Sequence, residues 1–229
     1  MSFSTAPRAI LFDLDGTLAD TAPDLAAAVN RQRAERGLAP TPYEILRPTA
    51  SHGARGMIGA AFGLQPEDDG FIALRDEFFI YYENAMMVHS SLFPGVGTLL
   101  DGLADAGVAW GIVTNKSARF TDPLVPMIGL DHAGCVISGD TTPHAKPHPA
   151  PLLEAARRIG VAPEQCWYVG DDLRDIQGGR AAGMTTVACQ WGYNGATEPE
   201  TWGADHLVAT PEALLALVLA SVDGITLAA

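Results

Sequence analysis

Two carboxylates one residue apart, Asp13 and Asp15, close the apolar run Ile10-Leu11-Phe12 and are followed by Gly16-Thr17-Leu18. Like charges held that close repel. A divalent cation with hard oxygen ligands offsets them, and Mg2+ needs few carboxylates because it keeps waters and shares substrate phosphate oxygens. The same residues also fit a strand followed by an Asp/Gly turn. Three later polar groups follow apolar runs in the same way. Thr114-Asn115-Lys116 offers a hydroxyl and backbone N–H groups that can hold phosphate oxygens, and equally fits a helix N-cap. In Lys146-Pro147-His148-Pro149 a fixed ammonium can neutralise a nucleophilic carboxylate and a phosphate together. Gly170-Asp171-Asp172-Leu173-Arg174-Asp175 places three carboxylates directly after an apolar strand, which favours metal binding over a solvated helix start. The six histidines show no metal-ligand spacing and are assigned no chemistry.

These groups need a scaffold that brings strand ends together. The run at 10–12 is too short for a helix, and uninterrupted apolar strands belong to parallel sheets covered on both faces. Ligands of such sheets sit beyond the carboxyl ends of strands. After Asp20-Thr21-Ala22-Pro23-Asp24, a helix start, only helical signals follow to about residue 88: a helix to about Gly37, then Pro42–Leu46, Ala54–Phe62 and Phe71–Met87. Beyond Pro94 strands alternate with helices, at 108–113, 134–138, 165–169 and 185–189. The pattern predicts an α/β fold, a Rossmann-like, doubly wound parallel sheet core with an inserted small α-helical cap domain. Core residues are 1–18 and 90–229, and cap residues 19–89.

The whole chain of 229 residues is long enough to bury a sizeable core. Fourteen Lys and Arg against 27 Asp and Glu give a formal charge of −13, which argues against nucleic acid and anionic membranes as partners. An anionic substrate must therefore find local positive charge from metal, lysine and backbone N–H groups. Cys135, Cys166 and Cys189 are odd in number and lack CxxC spacing, as expected of free thiols in a reducing compartment. Residues 1–8 lack the basic-then-apolar layout of a secretory signal, and the apolar run 214–220 is too short to span a bilayer. A cytoplasmic protein, monomeric or homodimeric, is expected.

In order, Asp13-x-Asp15-Gly16-Thr17, Thr114, Lys146 and Gly170-Asp171-x-x-x-Asp175 match the four motifs of the haloacid dehalogenase superfamily of phosphotransferases, which the chain resembles over essentially its full length. Phe12 to Thr21, Val113-Thr114-Asn115-Lys116 and Val169-Gly170-Asp171 resemble the bacterial phosphoglycolate phosphatase group. Gly53-Ala54-Arg55, 170–176 and Trp202-Gly203-Ala204-Asp205 are similar to N-acetylmuramic acid 6-phosphate phosphatases. The resemblance implies that Asp13 attacks phosphorus to give an aspartyl-phosphate, and that Asp15 serves the leaving alcohol as acid and the attacking water as base. Mg2+ is then expected on Asp13, the backbone carbonyl of Asp15 and Asp171, with Asp175 behind them or on a bound water. Gly16, Thr17, Thr114, Asn115 and Lys146 are expected at the phosphoryl group, and Arg55 of the cap is a candidate partner for a substrate carboxylate.

Three other functions compete. A dehalogenase attacking carbon needs no proton donor, and Asp15 argues against it. A sugar phosphomutase would share every motif and differ in how its cap holds a phosphorylated intermediate. A non-enzymatic phospho-receiver also sets Asp, Thr, Lys and Mg2+ at strand ends, but lacks a cap after its first strand. The expected partner is a small phosphate ester.

Overall fold

The computed structural model describes residues 6–195, 197–222 and 224, so part of the core range read from the sequence (1–5, 196, 223 and 225–229) lies outside the described residues. Strand β1 (Ala9–Phe12) is fully buried and pairs in parallel with β4 (Ala109–Val113) on one side and β6 (Cys166–Gly170) on the other. With β5 (Val136–Ile137), β7 (Thr185–Cys189) and β8 (His206–Val208) these form one six-stranded parallel sheet of order β5-β4-β1-β6-β7-β8. The chain runs outward from β1 through β4 and β5, then restarts at β6 on β1's other side. The order therefore reverses beside β1, and the crevice at that reversal is where an open α/β sheet binds ligands.

Alternation along β1 divides the core. Ile10 and Phe12 face a cluster with Leu99 and Leu103 of α5 (Val96–Asp105) and Leu214 and Val218 of α9 (Pro211–Val222). Ala9 and Leu11 face Leu152, Ala155 and Ala156 of α7 (Ala150–Ile159). α8 (Leu173–Ala181) covers the same side over β6 and β7, and α6 (Ala118–Met127) follows β4.

Between β1 and α5 lie α1 (Ala22–Glu35), α2 (Tyr43–Leu46), a 3₁₀ turn at Arg47–His52, α3 (Gly53–Phe62) and α4 (Phe71–Glu83). They pack through Val29, Met57, Phe78 and Tyr82. The last helix stops at Glu83, short of the expected Met87, where the Asn84 side chain donates back to the Ile80 carbonyl and turns follow. Entry and exit of this helical segment are tied. β2 (Ala19–Asp20) pairs antiparallel with β3 (Ser91–Leu92), and the buried Asp24 carboxylate accepts from His89 N, Ser90 N and Ser90 Oγ at 2.6–3.1 Å. Tyr82 and Phe79 of α4 meet Phe120 of α6, with ring centroids 5.4 and 5.2 Å apart, so the helices lie over the carboxyl end of the sheet.

Candidate active site

Asp13 leaves β1 at the sheet edge, Asp171 leaves β6, its hydrogen-bonded neighbour, and Asp175 lies in the first turn of α8, which follows. Local chemistry fixes Asp175: Asp172 caps α8 by accepting from Arg174 N (2.9 Å), while Asp175 Oδ2 accepts from Asp172 N (3.1 Å) in return. Thr17 and Tyr193 orient Asp171, the hydroxyl donating to Oδ1 (3.1 Å) and the Tyr193 N–H to Oδ2 (2.8 Å). Gly16 permits this approach. Its φ is +90°, and a Cβ there would lie 2.1 Å from Asp171 Oδ2.

Lys146 is buried among these groups. Its Nζ donates to the Val113 carbonyl (3.0 Å), Tyr168 Oη (2.7 Å) and Asp175 Oδ1 (2.8 Å). Those three bonds use all its protons, so Asp13 Oδ1, 2.8 Å away, feels the charge but has no aligned donor. Burial works against the Lys146 ammonium, but the charges of Asp13 and Asp175 together hold it above the ordinary lysine range. Burial pushes the Asp13 carboxyl up to about 6 despite Lys146, with Asp175 adding to the rise. Asp171 is driven well above the carboxylate range by burial and by Asp13 and Asp175.

Carboxylate oxygens of Asp13, Asp171 and Asp175 lie within 4.8 Å of one another, all buried. A hard divalent cation would remove their repulsion and give the orphaned Asp13 Oδ1 a partner, so this donor set fits Mg2+. The Asp15 side chain is outside that cluster and points elsewhere, accepting from the Thr21 hydroxyl and from Lys116 Nζ (2.9 Å).

These residues open on a cavity of about 350 Å³ between sheet edge and helices. Asp13, Asp15, Thr114, Asn115, Lys146, Asp175 and Arg55 line it. Thr17, fully buried behind Asp171, does not, and neither do Gly16 and Asp171. Asn115 turns its amide onto Lys146, donating to the carbonyl (3.0 Å) and accepting from the N–H (2.9 Å), so its side chain holds the lysine loop. Arg55 is exposed at the rim, with no carboxylate partner among the described residues, whereas Lys116, Lys146, Arg75 and Arg174 each have one.

Several contributors are not evident in the sequence: Tyr168 beneath Lys146, Thr21 on Asp15, the Lys116–Asp15 pair, and an aromatic wall of Phe71, Phe78, Phe79, Tyr82 and Phe120. The loop after β7, holding Tyr193, is a further strand end, and that position was the available signal.

A parallel sheet whose first strand delivers an aspartate to a buried carboxylate–lysine cluster, covered by helices inserted after that strand, defines the haloacid dehalogenase-like class of hydrolases. The chain belongs to the haloacid dehalogenase-like hydrolase family, whose model matches residues 10–189. It is 49% identical over 210 residues to a phosphoglycolate phosphatase of Xanthomonas campestris pv. campestris, covering 91% of this chain and 95% of that one. It is 44% identical over 206 residues to an N-acetylmuramic acid 6-phosphate phosphatase of Pseudomonas putida, covering 89% and 92%. A crystal structure of a predicted phosphoglycolate phosphatase from Haemophilus somnus 129PT superposes with a TM-score of 0.82 at 28% identity, over 93% of this chain and 98% of that one.

Proposed function

We propose that this chain is a Mg2+-dependent phosphomonoester hydrolase that works through an aspartyl-phosphate on Asp13. The observation that carries this reading is the buried meeting of Asp13, Lys146, Asp171 and Asp175, of which Asp13, Lys146 and Asp175 line a cavity together with Asp15 and Thr114. Asp13 would attack phosphorus as the ester P–O bond breaks, and Asp15 would give its proton to the departing alkoxide. Asp15 would then take a proton from water as that water attacks phosphorus and frees the Asp13 carboxylate. Lys146 and Thr114 would bind the equatorial phosphoryl oxygens. Mg2+, held by Asp13 and Asp171 with the Asp15 carbonyl, and Asp175 on it or behind it, would supply charge neutralisation there.

Residues 19–89 would serve as the substrate-reading cap on a core of 1–18 and 90–229, because the phosphoryl-binding groups are all on the sheet. Arg55 would meet the substrate's carboxylate. Cavity size and its aromatic wall favour a sugar-sized ester such as N-acetylmuramic acid 6-phosphate over two-carbon phosphoglycolate. A cytoplasmic setting suits the three buried, unpaired cysteines, and among the described residues no helix is long and apolar enough to cross a membrane.

Phosphate release from an aryl phosphate and from both named esters tests the reading. Turnover should vanish with EDTA and return with Mg2+. It should be suppressed by Ca2+, whose looser, higher coordination suits in-line transfer poorly. Indifference to EDTA, or phosphate release only with a bisphosphate primer, would overturn it.

A further inference from the structure

The loop after β7 reaches four parts of the site at once. Trp191 Nε1 donates to the Thr17 carbonyl (2.9 Å), and the Gly192 carbonyl accepts from Arg47 Nη2 of the cap (3.1 Å). The Tyr193 N–H holds Asp171. The Tyr193 hydroxyl, buried, accepts from Thr21 N (2.7 Å) and Ala22 N (2.9 Å) and donates to Asp20 Oδ1 (3.0 Å). These are the amides of the N-cap residue and the first residue of α1, directly after β2, through which the chain enters the cap. Thr21, fixed at its backbone by Tyr193, gives its hydroxyl to Asp15 Oδ1. Gly192 is packed between Asp171 and Gly16, where a Cβ would fall 2.3 Å from both Asp171 Cβ and the Gly16 carbonyl oxygen, so the loop has little room to shift. The Arg47 guanidinium lies 5.1 Å over the Tyr193 ring.

We infer that the Tyr193 hydroxyl is a positioning group for Asp15, acting through Thr21, and that it ties the entry into the cap to the loop that holds Asp171. This inference rests on the reading of Asp15 as the acid that protonates the leaving alcohol. A carboxyl group must meet the leaving oxygen within hydrogen-bond reach, and among the described residues Thr21 and Lys116 are the side chains that set the direction of Asp15. Without the tyrosine hydroxyl, two buried amides at the start of α1 lose their acceptor, and Thr21 is released with them. The 193 N–H stays, so Asp171 keeps its donor.

The loss must therefore depend on how much protonation the leaving group needs. Tyr193→Phe should lower kcat/KM for an alkyl phosphate by about tenfold or more, while kcat/KM for 4-nitrophenyl phosphate, whose leaving group departs unprotonated, changes by less than about twofold. Mg2+ affinity, read by calorimetry, should be unchanged. Thr21→Val should repeat the leaving-group-selective loss, and Thr21→Ser, which keeps the hydroxyl, should restore alkyl phosphate turnover. Equal losses with both esters, no loss with either, or a fall in Mg2+ affinity matching the fall in turnover would each overturn the inference. Wild-type protein that releases no phosphate from either ester would instead overturn the phosphatase reading itself.

Discussion

Asp13 combines two unfavourable conditions, burial and neighbouring carboxylates, which Lys146 offsets only in part, so its charge is available to attack at a cost in folded-state stability. Asp13→Asn nearly keeps the shape and removes both the charge and the proposed nucleophile. The variant should be inactive by phosphate release, and in EDTA it should melt no lower than wild type. Retention of more than about a tenth of wild-type kcat, a barrier rise under about 1.4 kcal/mol, would take the nucleophile's role from Asp13. Arg55 is the complementary case, a cation at the cavity rim without a carboxylate partner among the described residues. Arg55→Ala should lose about 2 kcal/mol of transition-state binding for a carboxylate-bearing ester, the low end for truncating one partner of an ion pair because the side chain is exposed here. An aryl phosphate without a carboxylate should barely respond. A common factor for both esters would make Arg55 a residue of fold or closure.

At the scale of elements, the helices inserted between β1 and α5 are joined to the sheet through two short crossings, at 19–20 and 91–92. A two-strand pair with so few ladder bonds cannot fix the junction by itself. Asp24 adds four contacts to the returning segment, accepting from one hydroxyl and two backbone amides. Asp24→Ala would leave the Ser90 amide and hydroxyl buried without an acceptor and release the His89 amide, and should destabilise the protein by about 2–3 kcal/mol in urea denaturation. Asp24→Asn, which keeps an acceptor oxygen, should recover part of that loss. If Asp24→Ala costs less than about 0.5 kcal/mol, the junction is held by the aromatic contact of Tyr82 and Phe79 with Phe120 instead.

At the scale of the whole molecule, a chain of net charge −13 concentrates three buried carboxylates beside one lysine, so folding and cation binding are linked. Asp13 titrates near 6 in the metal-free fold against 3.8 in the open chain, so the fold binds its proton more tightly. That contribution to stability is complete below 3.8 and lost as pH rises through about 6, and Asp171 acts in the same direction. Mg2+ bound at these carboxylates would displace these protons, so the rise in Tm that it causes should be small at about pH 5 and larger at about pH 7.5. Calorimetric scans at both pH values, with EDTA and with Mg2+, measure it. A shift of the same size at both would mean that Mg2+ does not bind at these carboxylates.

What the sequence determines by itself is whatever its local period and punctuation encode. Apolar runs stop at Asp13, Thr114 and Asp171 because a buried parallel strand ends where it delivers polar groups to the sheet edge, and these are the positions the fold brings together. The uninterrupted helical stretch between Thr21 and about residue 88 likewise marks the inserted helices. Tertiary structure decides which distant segments meet. β2 and β3 are two residues each and pair with each other across 71 or more positions of chain, and β8 is three residues that gain strand form by pairing with β7. Nothing local to Tyr193 signals contact with Thr21, 172 positions away, and nothing local to Tyr168 signals that its hydroxyl bonds Lys146 and Asp175. Thr17 sits beside the carboxylates in sequence, but the turn at Gly16 sends its side chain behind Asp171 and away from the cavity. The physical reason is one of range: apolar runs and turns are set by neighbours in the chain, while the pairing of short strands and the orientation of a buried polar side chain are set by whichever remote donor or acceptor satisfies them.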